Sequence, residues 1–184
     1  FNLYRGTGLT TANELIWTSS TQPYLAHPDT AHIITGLNTQ DQPYVYRVEL
    51  IGRADQQTPD NIGFSSPASS VFISAEPNDE QLTITWVLNT PWTNSAYEVF
   101  RNNGGTWVSR GTSTTTSFVD TGLVNGQTYC YLVMSTGAYS DASIASPLLN
   151  WSQQVCDIPV DLTPPCPPTV VLDNDCELPL NTLT

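Results

Sequence analysis

Alternating apolar and polar residues mark short strands along most of the chain. Over residues 81–86, the side chains of Leu82, Ile84 and Trp86 recur with period two and fall on one face of a strand. The turn at 102–105 is rich in Asn and Gly, which tolerate positive φ. Similar patterns predict strands over residues 70–75, 96–101, 117–120, 129–134 and roughly 149–155. The pattern therefore predicts an all-β chain.

A longer pattern occurs twice. Residues 36–48 and 122–133 each begin with Gly-Leu, pass through a polar turn and enter a strand at a Tyr-x-Tyr motif. An immunoglobulin-like sandwich has this arrangement where its strand E turns into its strand F. The separation between Leu37 and Leu123 is about the length of one such domain. We therefore predict tandem immunoglobulin-like β-sandwiches.

The strand pattern divides the chain into three parts. Residues 70–161 carry a complete set of strands. Residues 1–69 begin in a strand that corresponds to strand C of the complete domain, over residues 96–101, and they lack strands A and B. One face of their sheet should therefore be uncovered, and this part of the chain should not be stable alone. Residues 162–184 start a third domain with its strands A and B, after a stiff Pro-rich linker at 161–168. An alternative is that residues 162–184 of one copy supply the strands that residues 1–70 of another copy lack.

Four residues are predicted to form the core of the complete domain. Trp86 is the expected anchor, because burying a Trp side chain removes ~200 Å² from water and contributes up to ~5 kcal/mol. Leu123, Tyr129 and Tyr131, which belong to the second copy of the repeat, are expected to pack beside it.

Composition narrows the class of protein. The chain has 5 Arg and no Lys against 17 acidic residues, a formal charge of −12. This balance argues against nucleic acid and against an anionic membrane surface as partners. The sequence has no apolar run long enough for membrane insertion.

The cysteines indicate disulfides rather than a zinc site. An even count without Cys-x-x-Cys spacing favours an oxidising compartment. Cys130 begins the predicted strand over 129–134 (strand F) and Cys156 ends the one over roughly 149–155 (strand G). Antiparallel neighbours bring those ends together, so we predict a bond between them. Cys166 and Cys176 flank a predicted strand. They can pair only if the chain turns between them, and otherwise Cys176 pairs with a cysteine outside this sequence.

Acidic residues around the second domain junction are weak candidates for calcium. Asp157, Asp161, Asp173 and Asp175 supply oxygen ligands of the kind Ca²⁺ prefers, although their spacing is not that of an EF-hand. We predict no other cofactor.

No catalytic site is predicted. His27 and His32 are the only histidines, and neither has the partners of a triad or a metal site. The carboxylates are scattered rather than paired, which disfavours glycosidase chemistry.

The strand residues also carry a resemblance. Trp86, the strand at 97–101, Leu123, Tyr129 and Tyr131 resemble the pattern of fibronectin type III domains. Across residues 117–176 the chain is similar to the fibronectin type III repeats of large secreted Bacteroidetes proteins, which often precede a gliding-motility-associated sorting domain. The resemblance implies type IX secretion and a location outside a Gram-negative cell. The Asp-Thr-Ala sequence at Thr30 also resembles a Bacteroidetes O-glycosylation signal.

These observations predict a non-catalytic structural segment, a spacer or adhesin stalk in a secreted or cell-surface protein. Its partners would be neighbouring repeats, secretion machinery or surface proteins. One alternative is an accessory array of a secreted glycan-degrading enzyme. Another is direct carbohydrate binding through Trp92, Trp107 or Trp151, although alternation favours burial of Trp107 and Trp151.

Overall fold

The computed structural model describes residues 1–19, 31–52, 60–168, 172–174 and 181–183. All regular elements in these ranges are β-strands. Within these ranges we find no helix that has the length and hydrophobicity needed to span a membrane.

The first part of the chain forms one antiparallel sheet, which we call the first sheet. Its central path runs β2-β1-β3-β4, and β5 pairs with β3 beside β4. The strands are β1 (Asn2–Thr7), β2 (Glu14–Thr18), β3 (Tyr44–Gly52), β4 (Asp60–Phe64) and β5 (Ala68–Ser69).

The next part forms two sheets that pack face to face, which we call the sandwich. The smaller sheet has the order β10-β7-β6, and the larger has the order β12-β11-β8-β9 with β13 also paired to β11. The strands are β6 (Phe72–Asn78), β7 (Gln81–Val87), β8 (Thr93–Asn103), β9 (Thr106–Ser113), β10 (Ser117–Thr121), β11 (Tyr129–Ala138), β12 (Leu148–Trp151) and β13 (Val155–Asp157). A final antiparallel pair consists of β14 (Leu172–Asn174) and β15 (Asn181–Leu183).

The core of the sandwich lies between its two sheets. Ile84 and Trp86 from the smaller sheet meet Val99, Tyr131 and Val133 from the larger one, and all five side chains are buried. The Trp86 ring lies 5.2 Å from the ring of Tyr97. Leu123 is also buried, whereas Tyr129 packs on the core from a half-buried position.

Two features differ from the strand pattern of the sequence. The predicted strand over 149–155 is broken into β12 and β13. At the break, Ser152 still donates its backbone N–H to the carbonyl of Val133 in β11, and it also bridges to Val71, the residue before β6. Residues 31–35, which align with β10, form no strand. β10 is a strand because it pairs with β7, and the described part of the first sheet has no equivalent of β7.

The first sheet and the sandwich repeat the same strand register. In the first sheet, Leu3 of β1 lies opposite Val48 of β3, and Arg5 lies opposite Tyr46. In the sandwich, the aligned residues of β8 and β11 pair in the same way, Val99 opposite Val133 and Arg101 opposite Tyr131. The repeat seen in the sequence is therefore also a repeat of backbone pairing.

The chain enters and leaves the sandwich at opposite ends. At the entry, the backbone N–H of Ser69 donates to the carbonyl of Asn89 at 2.7 Å. At the exit, the backbone N–H of Val160 donates to the carbonyl of Asn78 at 3.2 Å. Since β6 runs from the entry to Asn78, the two ends are separated by the length of that strand, roughly 20 Å at about 3.3 Å per residue.

Candidate interaction sites

A buried carboxylate organises the edge of the sandwich core. Asp120 of β10 is only 3% exposed, and its side chain points inward between the sheets. Its Oδ2 accepts hydrogen bonds from Arg101 Nη1 at 2.8 Å and from the buried Tyr131 hydroxyl at 3.0 Å. Its Oδ1 accepts from Arg110 Nε at 3.2 Å and Nη2 at 3.1 Å. Both oxygens are satisfied from within the fold, so the group acts as a structural brace.

This environment changes the pKa of the Tyr131 phenol. Burial raises its pKa above the ordinary value of 10.0, and the negative charge of Asp120 raises it further. The hydroxyl therefore stays protonated and donates to Asp120 throughout the physiological range.

The first sheet lacks this brace. By alignment of the Gly-Leu motifs, the position of Asp120 is taken by Ile34. Arg5, which aligns with Arg101, instead forms an ion pair with Glu14 at 2.7 Å. The two repeats therefore share their backbone register while differing in the polar contacts that secure it.

One face of the first sheet forms the floor of an open, apolar trough. Its cavity measures about 640 Å³ and lies over Leu3, Trp17 and Val48. Ile34 and Leu37 line it from the segment that follows residue 30. This is the face that aligns with the core face of the sandwich.

The side chains on this face are more exposed than their counterparts in the sandwich. Val48 is 37% exposed in the trough, whereas its counterpart Val133 is 0% exposed in the sandwich. Val133 is covered by β6 and β7. The described residues contain no strand pair on the first sheet that corresponds to β6 and β7.

The opposite face of the first sheet carries a polar and aromatic network. Glu49 is 8% exposed and accepts hydrogen bonds from Asn2 Nδ2 at 2.9 Å and Tyr4 Oη at 2.7 Å. Those two hydrogen bonds lower the pKa of Glu49 below its ordinary value of 4.5. The Arg47 guanidinium lies 5.3 Å from the Tyr4 ring centre and 4.4 Å from that of Phe64. On this face, Glu49 is buried by its own polar partners, whereas Phe64 remains 47% exposed.

The structure contains a disulfide between Cys130 and Cys156, with an S–S distance of 2.05 Å. The two residues are direct partners across β11 and β13. Cys166 is exposed and free among the described residues. Cys176 lies outside the described residues, so its pairing with Cys166 stays a prediction.

The tryptophans proposed for carbohydrate contact are arranged differently from expectation. Burial was expected for Trp151, yet it is 46% exposed, because its position opposite Met134 places it on the outer face of the larger sheet. Its ring lies 5.4 Å from that of Phe100. Trp92 and Trp107 are both half-buried.

The calcium candidates are not brought together in the described ranges. Asp157 and Asp161 each accept a hydrogen bond from a backbone N–H close by in the chain, that of Ile158 and of Thr163 respectively. The side chain of Asp173 and all of Asp175 fall outside what the structure describes. Within the described residues, no group of three or more His, Cys, Asp or Glu side chains is placed to hold a metal.

The remaining candidates lie around residue 30. The ring of His32 stacks on Trp17 with the ring centres 4.5 Å apart, beside the trough. His27 and the glycosylation candidate Thr30 lie outside the described residues, and modification of Thr30 stays a prediction.

No family model matches the chain. The chain is 37% identical over 91 residues to exoglucanase B of Cellulomonas fimi, covering 49% of this chain and 8% of that protein. It thus spans a small part of that relative. Among solved structures, it is similar to a β-1,2-glucanase from Parabacteroides distasonis, with a TM-score of 0.41 and 17% identity over 52% of this chain and 13% of that one. It is also similar to domains d3–d4 of the rat CD45 extracellular region, with a TM-score of 0.30 and 17% identity over 76% and 78% of the two chains.

Proposed function

We propose that this chain is a non-catalytic structural segment of a secreted or cell-surface protein, built from tandem fibronectin type III-like units. The observation that carries the proposal is the repeated register of Leu3–Val48 and Val99–Val133. Repeated units whose contacts are chiefly internal suit a spacer, because each unit adds length without needing a site of its own. The Cys130–Cys156 disulfide supports an oxidising, extracellular location.

The proposed units keep the boundaries predicted from the sequence. Residues 70–161 form the complete unit, residues 1–69 a unit without strands A and B, and residues 162–184 the start of a third. Support comes from the closed core of the sandwich, from the trough on the first sheet and from the separate β14–β15 pair. A position on the outer face of a Gram-negative cell, with type IX secretion, remains a prediction from the resemblance alone.

A spacer can be tested by replacement. In the full-length polypeptide, residues 70–161 are exchanged for an unrelated β-sandwich of similar length, and a second variant deletes them. A spacer tolerates the exchange, and only the deletion shortens the reach of an epitope tag beyond it. Loss of function in the exchange variant, with normal secretion, would show that the surface of this unit is itself required.

The chain itself should not hydrolyse glycans. Incubation with a panel of soluble β-glucans is expected to release no reducing sugar above a buffer blank. Sustained release that follows the purified chain and disappears on substitution of one carboxylate would contradict the proposal.

A second candidate is an accessory array in a glycan-degrading enzyme, favoured by the 37% identity to exoglucanase B. An accessory array assists the enzyme on insoluble substrate and leaves soluble substrate unaffected. The measurement compares both activities of the full-length polypeptide with and without residues 70–161. Equal loss on both substrates, or no loss on either, argues against this candidate.

Direct glycan contact has one supporting observation, the exposed Trp151 ring beside Phe100. Exposed aromatic rings offer flat apolar area at low entropic cost. If they bind glycan, Trp151→Ala reduces retention of the chain on insoluble cellulose, and Trp107→Ala serves as the half-buried comparison. Equal retention of parent and both variants removes the idea.

A further inference from the structure

The junction between the first sheet and the sandwich is short. β5 ends at Ser69 and β6 begins at Phe72. Ser69 belongs to the first sheet through its pairing with Val45 of β3, and it is only 4% exposed. Units joined in tandem move relative to each other by default, unless a large apolar interface holds them together. The contacts at this junction therefore decide whether the two units form one rigid body.

Apolar packing does not fill the junction. An open cleft of about 270 Å³ lies there, and residues from both sides line it. Gln42 and Tyr44 contribute from the side of the first sheet, and Phe72 and Trp151 contribute from the sandwich. Space of this kind would let the two units rotate towards each other. A fixed orientation would therefore depend on polar contacts.

Asn89, in the loop between β7 and β8, makes such contacts with two separate parts of the first sheet. Its backbone N–H donates to Ser69 Oγ at 2.9 Å, and its carbonyl accepts from the Ser69 N–H at 2.7 Å. Its side-chain Nδ2 donates to the carbonyl of Leu9, in the segment between β1 and β2, at 2.7 Å. One residue of the sandwich thus holds two points that are far apart in sequence.

The strands that carry these two points lie on opposite sides of β3. Val45 of β3 is paired both with Gly6 of β1 and with Ser69 of β5, so β1 and β5 follow opposite edges of β3. Strands two positions apart in a sheet are separated by roughly 10 Å, since each spacing is about 4.8 Å. Two attachment points so far apart resist rocking of the sheet about β3, which a single point would allow.

A third contact comes from the larger sheet of the sandwich. Asn150 of β12 donates from Nδ2 to the carbonyl of Ser69 at 2.9 Å. The N–H, the hydroxyl and the carbonyl of Ser69 are therefore all bonded to the sandwich. Because Ser69 is buried, water cannot readily take the place of these partners, and losing one of them leaves a polar group unsatisfied.

We propose that the hydrogen bonds of Asn89 fix the first sheet to the sandwich, so that the two units tumble as one body with a constant angle between them. The inference goes beyond the spacer function, because a flexible series of units could also act as a spacer. It assigns the stiffness of this joint to the bonds of one residue.

The test compares the alignment of the two units in the whole chain, measured by residual dipolar couplings of backbone N–H groups in a stretched, uncharged gel. Couplings from β1 and β3 report on the first sheet, and those from β7, β8 and β11 report on the sandwich. In the parent, one alignment tensor is expected to fit both sets. Couplings of the first sheet that average towards zero, or that require a separate and weaker tensor, overturn the proposal.

A pair of matched variants locates the contact. Asn89→Asp keeps the shape of the side chain and replaces the donor to Leu9 by an oxygen that repels its carbonyl. The alignment of the first sheet is then expected to fall to about 0.6 of that of the sandwich or lower, the level at which NMR order parameters indicate flexibility. Asn103→Asp makes the same chemical change at an exposed position at the far end of β8, and it should keep a single tensor. Full alignment of the first sheet in Asn89→Asp would overturn the role of Asn89.

A further variant covers the case in which Asn89→Asp loses the dispersed signals of β1 and β3. Ser69→Ala removes the side-chain acceptor of the Asn89 N–H and should weaken the alignment of the first sheet in the same direction, whereas unchanged alignment counts against the proposal. The replacement test of the spacer function reads the reach of an epitope tag. Its failure would leave a rigid joint intact, and a flexible joint would leave the spacer function intact.

Discussion

Replacing Asp120 by Ala should destabilise the sandwich more than any surface change. The substitution removes the acceptor of the Tyr131 hydroxyl, which is buried, and an unsatisfied buried donor costs about 1–3 kcal/mol. It also removes two ion pairs to Arg101 and Arg110, whose side chains are 22% and 35% exposed. Solvent screens such pairs, so we assign each at most about 1 kcal/mol. The expected loss is about 3 kcal/mol.

The assay is equilibrium unfolding in urea, followed by tryptophan fluorescence, to which the buried Trp86 contributes. For a domain of this size, about 3 kcal/mol corresponds to a fall in Tm of roughly 12–24 °C. Asp120→Asn keeps the shape and an acceptor oxygen for Tyr131 while losing the charge, so it should lose less than Asp120→Ala. Asp141 lies in an exposed loop, and its side chain bonds only to Ser143 among described residues, so Asp141→Ala provides the control.

A double-mutant cycle isolates the buried hydrogen bond. Tyr131→Phe removes the donor, so its effect and that of Asp120→Ala should not add, with a coupling of roughly 1 kcal/mol or more. The reasoning fails if Asp120→Ala unfolds within about 0.5 kcal/mol of the parent, since that is the range of ordinary surface substitutions. It also fails if the two substitutions are additive.

Three more changes test other parts of the structure. The Ser135 hydroxyl is fully buried with no hydrogen-bond partner in the described chain, so Ser135→Ala should leave stability unchanged or raise it by up to about 1 kcal/mol; a clear loss in urea unfolding would reveal a partner. Reducing the Cys130–Cys156 bond, with its sequence separation of 26, should lower the free energy of unfolding by about 3 kcal/mol in the chain-entropy account, and equal curves with and without reductant would refute this. Because the folded pKa of Glu49 is lowered, its contribution is present above the unfolded pKa near 4.5 and is lost as pH falls through the folded value. Glu49→Gln should therefore melt below the parent at pH 7, the gap should shrink in acid, and a gap independent of pH would exclude this linkage.

Most of the sandwich follows from local sequence. Alternation over 81–86 predicts β7 and its inward face, because a strand buried on one side repeats every second residue. The short strands β4 and β5 were not predicted, since they carry no clear alternation and exist through pairing with β3. The break between β12 and β13 lies where Ser152 bridges to Val71, a contact distant in sequence that no local pattern reveals.

The brace at Asp120 was missed although a signal was available. In the predicted strand over 117–120, Phe118 and Asp120 share a face, so an inward Phe118 implies an inward carboxylate. A buried carboxylate requires partners, and the chain has only five cations to supply them. Which of them reach Asp120 depends on how β9 and β10 meet across the two sheets, and that is set by packing rather than by local pattern.

The disulfide determines how the sandwich carries mechanical tension. Tension applied to the linker at residues 161–168 reaches the larger sheet at β13. This edge strand pairs with β11 over three residues, and without the disulfide that pairing alone would hold it. Since Cys156 is bonded to Cys130, the pull passes covalently into β11, which is flanked on its other side by β8. The backbone between the two cysteines, which includes most of β11 and all of β12, is then bypassed by the covalent tension. Tension from the other end of the chain enters the sandwich through β6, a strand of the smaller sheet. The two forces therefore act on different sheets, and extension must shear these sheets apart across the core.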